Sequence, residues 1–258
     1  MGTQFLLCPN NAGEDMVHFS LNIAGVVYDI HANFPSTKAY CCQFVTEQAG
    51  SCRISVTNED ITEERTSVNA LAIDKNGNSI IYSDAYLETL ALLRKLAENA
   101  PGMDSFLIHG SAICVDGKAY LFSAPSGTGK STHARLWREM LGDRAVMVND
   151  DKPFILRSEN VFYVCGSPWN GKHGLGNPIA APLAGICMLH QAEENAISKL
   201  SAAQALPRLA PQCYMPKNPD SAIKTLGLID ALLKAVPVYK LGCNISSEAA
   251  ELCFNTIK

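Results

Sequence analysis

Residues 123–132 read Ser-Ala-Pro-Ser-Gly-Thr-Gly-Lys-Ser-Thr and follow directly on the apolar run 119–122. Gly127 and Gly129 can adopt backbone conformations closed to other residues, so successive N–H groups can point inward at phosphate oxygens. The spacing that follows predicts a helix over 130–140, whose positive N-terminal end adds to the field on an anion. Strand, glycine-rich turn and helix in this order predict a phosphate-binding loop, here called the P-loop (Walker A motif).

The P-loop offers three kinds of contact to a nucleotide. Backbone N–H groups surround the phosphates, Lys130 brings a point charge to the β and γ phosphates, and Ser131 brings a hydroxyl to Mg²⁺. The predicted nucleotide-binding residues are Ser126, Gly127, Thr128, Gly129, Lys130, Ser131 and Thr132. Ala124 replaces the leading glycine of the strict pattern, at the strand exit, where a methyl group is tolerable. An ordinary strand-to-helix turn is the alternative interpretation.

A second polar motif ends the predicted strand 145–149, where the sequence continues with Asp150 and Asp151. Acids delivered at the end of an apolar strand beside a P-loop can hold Mg²⁺ directly or through water. Side chains alternate along an extended segment, so one carboxylate can face the metal and the other the substrate. We assign Asp150 to the metal and Asp151 to the substrate, although the two roles could be exchanged. The alternative is a polar strand end in solvent.

Two further segments are candidates for the site. His109 ends the apolar run 106–108 on the strand paired with the one that feeds the P-loop, and it is either a site residue or a structural histidine. Residues 165–178 contain four glycines together with Trp169, Lys172 and His173. Such a loop between strands predicts a mobile lid or acceptor-binding loop, with a plain connector as the alternative.

Composition limits the classes of function. The chain has 258 residues, 47% of them hydrophobic, which is ample for a packed core, and its formal net charge is −4. It therefore lacks the general basic field that would bind nucleic acid or an anionic membrane. The N-terminal residues lack the features of a signal peptide and no long apolar run predicts a membrane span, so a cytoplasmic protein is expected. The ten cysteines include no C-x-x-C pair and are interpreted as reduced, mostly buried thiols.

The chain divides into two predicted domains, residues 1–100 and 101–258. The first is expected to be a small, mostly antiparallel β-rich domain that ends in a helix over 84–98. Its predicted strands cover residues 17–23, 26–30, 39–45, 52–56, 70–73 and 79–82. The turn Lys75-Asn76-Gly77-Asn78 predicts a hairpin between the last two.

The second domain is predicted to begin with a β-hairpin. A strand over 106–115 turns at Asp116-Gly117-Lys118 and returns as 119–123, so the strand that feeds the P-loop has an antiparallel neighbour. Most P-loop proteins instead have a parallel sheet around the loop strand. Further strands are predicted at 145–149, 153–156, 161–164, 184–189 and 236–241, and helices at 201–209, 219–235 and 247–256.

These motifs resemble the catalytic domain of the HPr kinase/phosphorylase family. The hairpin before the P-loop, the short form Ser126-Gly-Thr-Gly-Lys-Ser131 and the pair Asp150-Asp151 carry the resemblance, which covers roughly residues 103–258. The nucleotide site of ATP-dependent phosphoenolpyruvate carboxykinase is similar. The resemblance implies an α/β fold in which a mixed, partly antiparallel sheet with the P-loop is flanked by helices. His109 matches the family's histidine before the loop, and Asp151 matches the acid that activates the acceptor serine.

From residues and resemblance together we expect an ATP-dependent kinase that uses Mg²⁺ and transfers the γ-phosphoryl group to a hydroxyl. The acceptor would be a small molecule or a serine of a peptide or protein. Lys130, Asp151 and His109 are the expected catalytic residues, and Ser131 and Asp150 the metal ligands. Two alternatives stay open, an ATP-sensing regulator without turnover and a carboxykinase-like enzyme. A homo-oligomer is compatible with the sequence.

Overall fold

A computed structural model describes residues 16–69 and 80–258, and its strands form two sheets. The strands are β1 (Val17–Ile23), β2 (Val26–Ala32), β3 (Val45–Thr46), β4 (Cys52–Ser55), β5 (Ser105–Leu107), β6 (Gly110–Val115), β7 (Lys118–Ser123), β8 (Ala145–Asn149), β9 (Phe154–Ser158), β10 (Val161–Cys165), β11 (Ala180–Gln191), β12 (Ala196–Leu200) and β13 (Val238–Cys243). The α-helices are α1 (Pro35–Tyr40), α2 (Asn58–Asn69), α3 (Asp84–Asn99), α4 (Lys130–Leu141), α5 (Ala202–Leu209), α6 (Pro219–Ala235) and α7 (Ser247–Ile257).

The N-terminal sheet has the order β3-β1-β2-β4. Strands β1 and β2 form an antiparallel hairpin in which Val17 lies opposite Ala32, whereas β4 runs parallel to β2. This part of the molecule is the small β-rich unit that the sequence predicts. The predicted hairpin around residues 75–78 lies outside the described residues.

The predicted strand 39–45 is wrong. Its first residues belong to α1, which begins with Pro35, and a 3₁₀ turn (Cys42–Phe44) leads into the two-residue strand β3. Proline suits the first turn of a helix because its nitrogen needs no hydrogen-bond partner there. The helix start is also held from a distance, because the buried carboxylate of Glu88 on α3 accepts hydrogen bonds from the backbone N–H groups of Asn33 and Phe34.

The large sheet is mixed, and helices flank it. The hairpin β6–β7 is antiparallel and is joined through the predicted Asp116-Gly117 turn, in which both residues have positive φ. On its other side, β7 pairs in parallel with the long strand β11, which pairs in parallel with β13. The sheet therefore has the mixed, partly antiparallel α/β architecture that the sequence predicts. Strand β12, at the edge beside β13, had not been predicted.

The predicted strand 106–115 is broken in two. Its first part, β5, pairs with β9, whereas its second part, β6, pairs with β7 and β8. At the break, the backbone N–H groups of Ile108 and His109 bond outside the ladder, to the carbonyls of Pro153 and Gln212. A buried apolar run conceals such a break, because periodicity does not report which neighbour each half pairs with. The break leaves His109 between the two halves rather than within a strand.

One packed cluster lies behind the P-loop, and another surrounds α3. Behind the loop, the fully buried indole of Trp137 on α4 contacts the rings of Tyr120, Phe122 and Phe254, with centroid separations of 5.1 to 5.2 Å. Helix α3 lies in a core that combines the N-terminal sheet with residues that follow α3 in the chain, among them Leu107, Phe154, Cys165 and Trp169. Within the described residues no helix is long and apolar enough to cross a bilayer.

Candidate phosphate-binding site

The P-loop connects β7 to the N-terminus of α4. Gly127 and Gly129 have φ angles of 79° and 114°, and a Cβ atom at either position would meet no atom within 4 Å. Glycine is therefore required by backbone conformation, since open space surrounds both residues. Ala124 is completely buried and packs in the core behind the loop, so its methyl group fits where the strict motif has glycine.

Lys130 lies against the underside of the P-loop. Its Nζ donates hydrogen bonds to the carbonyls of Ala124 (2.9 Å) and Pro125 (3.2 Å), and the residue is only 7% exposed. Burial, and then the neighbouring Lys152, lower the pKa of Lys130, whereas the charges of Asp151 and Asp150 oppose that shift. The ammonium group thus lies under the P-loop, where the charges of both acids act on it.

The acids after β8 have different surroundings. Asp150 is buried, and its Oδ1 accepts a hydrogen bond of 2.7 Å from the hydroxyl of Ser111 on β6. Asp151 is partly exposed, and its Oδ1 lies 3.4 Å from Nε2 of His109 and 3.7 Å from Nζ of Lys152. The structure therefore brings His109, Lys130 and both acids together at one end of the sheet.

His109 faces Asp151 as a neutral imidazole. Burial lowers the pKa of His109 to about 4, the charges of Lys152 and Lys130 add to this effect, and Asp151 opposes it. Although Asp151 is close, the two cations and the loss of hydration outweigh its attraction for a proton. At neutral pH the side chain can orient the carboxylate of Asp151 without compensating its charge.

Asn149 fixes the segment that carries the acids, and sequence reasoning had not selected it. Its Nδ2 donates to the backbone carbonyl and hydroxyl of Ser167 and to Oδ1 of Asn170, at 2.7 to 3.1 Å. Its Oδ1 accepts hydrogen bonds from the N–H groups of Asp151 (2.8 Å) and Lys152 (2.7 Å). A completely buried amide with all these bonds determines how the chain turns after β8. In the sequence, the feature that points to this role is an asparagine at the end of an otherwise apolar strand.

We expect Asn149→Leu to lower the free energy of unfolding by about 2–5 kcal/mol, because several buried donors and acceptors lose their hydrogen-bond partner. Leucine has a similar volume, so the change mainly removes these hydrogen bonds. ATP-dependent activity should fall with it, since Asp150 and Asp151 lose their fixed turn. Denaturant unfolding and an activity assay measure the two effects. Asn255→Leu, at an exposed position on α7, is the matched control. Wild-type stability and activity in Asn149→Leu would contradict this role.

The predicted lid, residues 165–178, is packed at residues 165–170 and again at Gly176. Trp169 is buried, and its Nε1 donates a hydrogen bond of 3.1 Å to the carbonyl of Thr89 on α3. Gly166 and Gly176 are held against Asn177 and Asn170 so closely that neither has room for a Cβ atom. Trp169 thus contacts α3 and the N-terminal core instead of projecting into the site. Lys172 and His173 lie on an exposed 3₁₀ turn (Gly171–His173). Of the predicted substrate-loop residues, we therefore keep only these two in the proposed substrate loop.

A cavity of about 170 Å³ lies beside the start of α4. Ser131, Thr132, Arg135, Arg138, Asp150 and His173 are among its lining residues. Ser131 and Asp150, the two residues chosen from the sequence as metal ligands, therefore face the same space. Within residues 16–69 and 80–258, no cluster of three or more His, Cys, Asp or Glu side chains could hold a metal alone. This donor set suits Mg²⁺, which is usually bound by one or two carboxylates together with substrate phosphates.

Fold and site define an α/β protein in which a mixed sheet presents a P-loop next to paired acids. A sequence model of the family described as SynChlorMet cassette protein ScmC matches residues 84–252. The chain belongs to the ScmC family. The matched region includes α3 as well as the P-loop and both acids.

Among solved structures, the chain is similar to the Hpr(Ser) kinase/phosphatase from Coxiella burnetii. The sequence identity is 13% and the TM-score 0.35, over 58% of this chain and 95% of the other. A comparison with curated proteins finds no match.

Proposed function

We propose that this protein is an ATP-dependent kinase that transfers the γ-phosphoryl group to a hydroxyl. The observation that supports the proposal is the placement of Asp151, partly exposed and in contact with His109, on the same side of the sheet as Lys130 and the P-loop. Phosphoryl transfer requires little covalent chemistry from a protein; it requires alignment and neutralisation of charge. This arrangement can supply both.

The P-loop would hold the phosphates of ATP. The N–H groups of residues 126–131 surround them, and Lys130 exchanges its two carbonyl partners for phosphate oxygens. Ser131 and Asp150 would hold Mg²⁺, which when bound neutralises charge on the β and γ phosphates. The hydrogen bond from Ser111 leaves one carboxylate oxygen of Asp150 available for this role.

Asp151 would act on the acceptor. As the acceptor oxygen bonds to the γ-phosphorus, the bond between that phosphorus and the bridging oxygen breaks, ADP leaves, and the acceptor proton passes to Asp151. Nε2 of His109 lies 3.4 Å from Oδ1 of this carboxylate, and Nζ of Lys152 places a positive charge 3.7 Å from the same oxygen. The exposed turn with Lys172 and His173 can cover the phosphates from the other side of the 170 Å³ cavity.

Incubation of the purified chain with Mg²⁺ and γ-labelled ATP tests the proposal. We expect slow release of labelled phosphate to water and faster transfer of label to peptides or small molecules that carry a suitable hydroxyl. Tight ATP binding with no loss of the γ-phosphate, with or without acceptors, would support the regulator that senses ATP. Neither binding nor turnover would contradict both functions.

A further inference from the structure

A second cavity, of about 340 Å³, is lined in part by His109 and shares no lining residue with the cavity beside the start of α4. Its walls come from α3 and from the segments before β6 and α6. The apolar lining comprises Leu90, Leu93, Leu107, Ile108, Cys213 and Tyr214. His109 and Lys152, which contact Asp151, also line it. The cavity therefore adjoins the carboxylate to which we assign the acceptor proton.

The charged groups of this cavity are paired with one another. Nε of Arg94 lies 2.5 Å from a carboxylate oxygen of Glu64, and its Nη2 contacts Asp60 and Glu63 at 3.3 and 3.1 Å. Lys152 faces Asp151, and His109 is neutral. A hydroxy acid or sugar phosphate would have to displace one of these pairs, whereas an uncharged apolar group would displace none. The cavity therefore suits an uncharged apolar group, and its volume is more than sufficient for a leucine or phenylalanine side chain.

The apolar surface continues along α3 beyond the cavity. Tyr86, Leu90, Leu93 and Arg94 follow one another at helical spacing on a single face. The ring of Tyr86 stacks on that of Tyr82 at 5.1 Å and is 41% exposed. Burial, the neighbouring Tyr82 and then the charge of Asp151 raise the pKa of Tyr86.

The length of this surface favours an extended chain over a compact molecule. Eight residues of helix separate Tyr86 from Arg94, a distance of about 12 Å. Three to four residues of extended peptide span roughly the same distance. We call this region the acceptor groove: Tyr86 and Leu90 form its more exposed part, and the buried residues Leu93, Leu107 and Ile108 lie beneath it.

We propose that the acceptor groove binds a peptide and takes a large uncharged apolar side chain beside the serine or threonine hydroxyl that Asp151 activates. This inference rests on the proposed kinase function and adds the class of acceptor. Burial of a leucine-sized side chain strengthens binding roughly 10- to 100-fold. Selection therefore depends on the residue next to the hydroxyl.

Blocked tripeptides test the proposal with the full chain. Binding of N-acetyl-Leu-Ser-Leu-amide is compared with that of N-acetyl-Gly-Ser-Gly-amide by NMR titration, and transfer of label from ATP is measured in parallel. We expect roughly 10- to 100-fold tighter binding of the leucine peptide and a matching preference in transfer. The acidic N-acetyl-Glu-Ser-Glu-amide should bind no better than the glycine peptide. Equal binding of the leucine and glycine peptides would overturn the groove.

Variants locate the preference. Leu90→Trp, at a half-buried position, should fill the cavity and reduce the preference for leucine to within about threefold, a loss of most of the apolar contribution. Leu93→Trp tests the same cavity from the next turn if the first variant is unstable. Leu226→Trp, on the exposed face of α6, is the matched control. A preference that survives both cavity variants would refute the assignment.

Two further results separate this inference from the kinase proposal. If the leucine peptide binds preferentially but never receives label, while ATP is bound, the kinase function fails and the acceptor role fails with it. If the glycine and leucine peptides are phosphorylated equally, the kinase function stands and the groove is refuted. 2-Phenylethanol serves as a small apolar alcohol, and its phosphorylation as efficiently as the leucine peptide would overturn the choice of a peptide.

Discussion

Asp151→Asn is expected to lower the rate of phosphoryl transfer by about 10²- to 10⁴-fold, the usual contribution of a general base. The amide keeps the size of the carboxylate but cannot take the acceptor proton. The structure gives Asp151 different surroundings from Asp150, the proposed metal ligand, because the carboxylate of Asp151 lies near His109 and Lys152 whereas Asp150 accepts a hydrogen bond from Ser111. Affinity for Mg·ATP should therefore change no more than a few-fold, because the only change near the nucleotide is the loss of one neighbouring negative charge.

Asp150→Asn should give the contrasting result, with weaker Mg²⁺-dependent ATP binding as well as slower transfer. Single-turnover transfer and Mg·ATP dissociation constants for both variants distinguish the two acids. Asp143→Asn, at an exposed position before β8, controls for the loss of one negative charge. Exchanged patterns would exchange the roles of the acids, and normal transfer in both variants would contradict the mechanism.

Lys130→Met is expected to have the second large effect. The ammonium of Lys130 is held under the P-loop by the carbonyls of Ala124 and Pro125, in the position from which it can reach the phosphates. A charged hydrogen bond contributes about 1.5–3 kcal/mol, so ATP affinity should fall roughly 10- to 100-fold. Transfer should fall by a further factor of about 10²–10³, as for other lost donors to transition-state charge.

The fold should survive this substitution, because methionine has the length of the lysine stem and the position is already largely buried. Thermal unfolding measured by circular dichroism, together with ATP titration, checks both statements. Lys118→Met, on the exposed end of the β6–β7 hairpin, is the matched control. Unchanged ATP affinity and rate in Lys130→Met would contradict the assignment of the phosphate lysine.

Local sequence signals were sufficient for the parts of the fold nearest the P-loop. The Asp116-Gly117 turn and the glycines at 127 and 129 have the positive φ angles that their residue types predict. The antiparallel neighbour of the strand that feeds the P-loop followed from that hairpin, because a short turn joins antiparallel strands, whereas the mixed sheet followed from the family resemblance. These features depend on backbone preferences of few residues, which a sequence displays directly.

Features that depend on distant partners could not be read in this way. Helix α1 and a 3₁₀ turn occupy most of a predicted strand. One of the groups that hold the start of α1 is Glu88, 51 residues further along the chain than Thr37, whose hydroxyl donates a hydrogen bond to its carboxylate. Helix α2 was missed because its residues are mostly polar and lack an apolar period. Within the site, Asn149 binds Ser167 and Asn170, and Trp169 turns towards Thr89. Only the folded chain brings these groups together.

Hydrogen exchange of the P-loop amides tests the central claim most directly. If the N–H groups of residues 126–131 bind the phosphates of ATP, adding Mg·ATP should slow their exchange strongly, while amides of the β1–β2 hairpin should exchange as before. The same experiment on Lys130→Met should show much weaker protection at equal ATP concentration. Exchange at residues 126–131 that is identical with and without saturating Mg·ATP would contradict a nucleotide site at this loop.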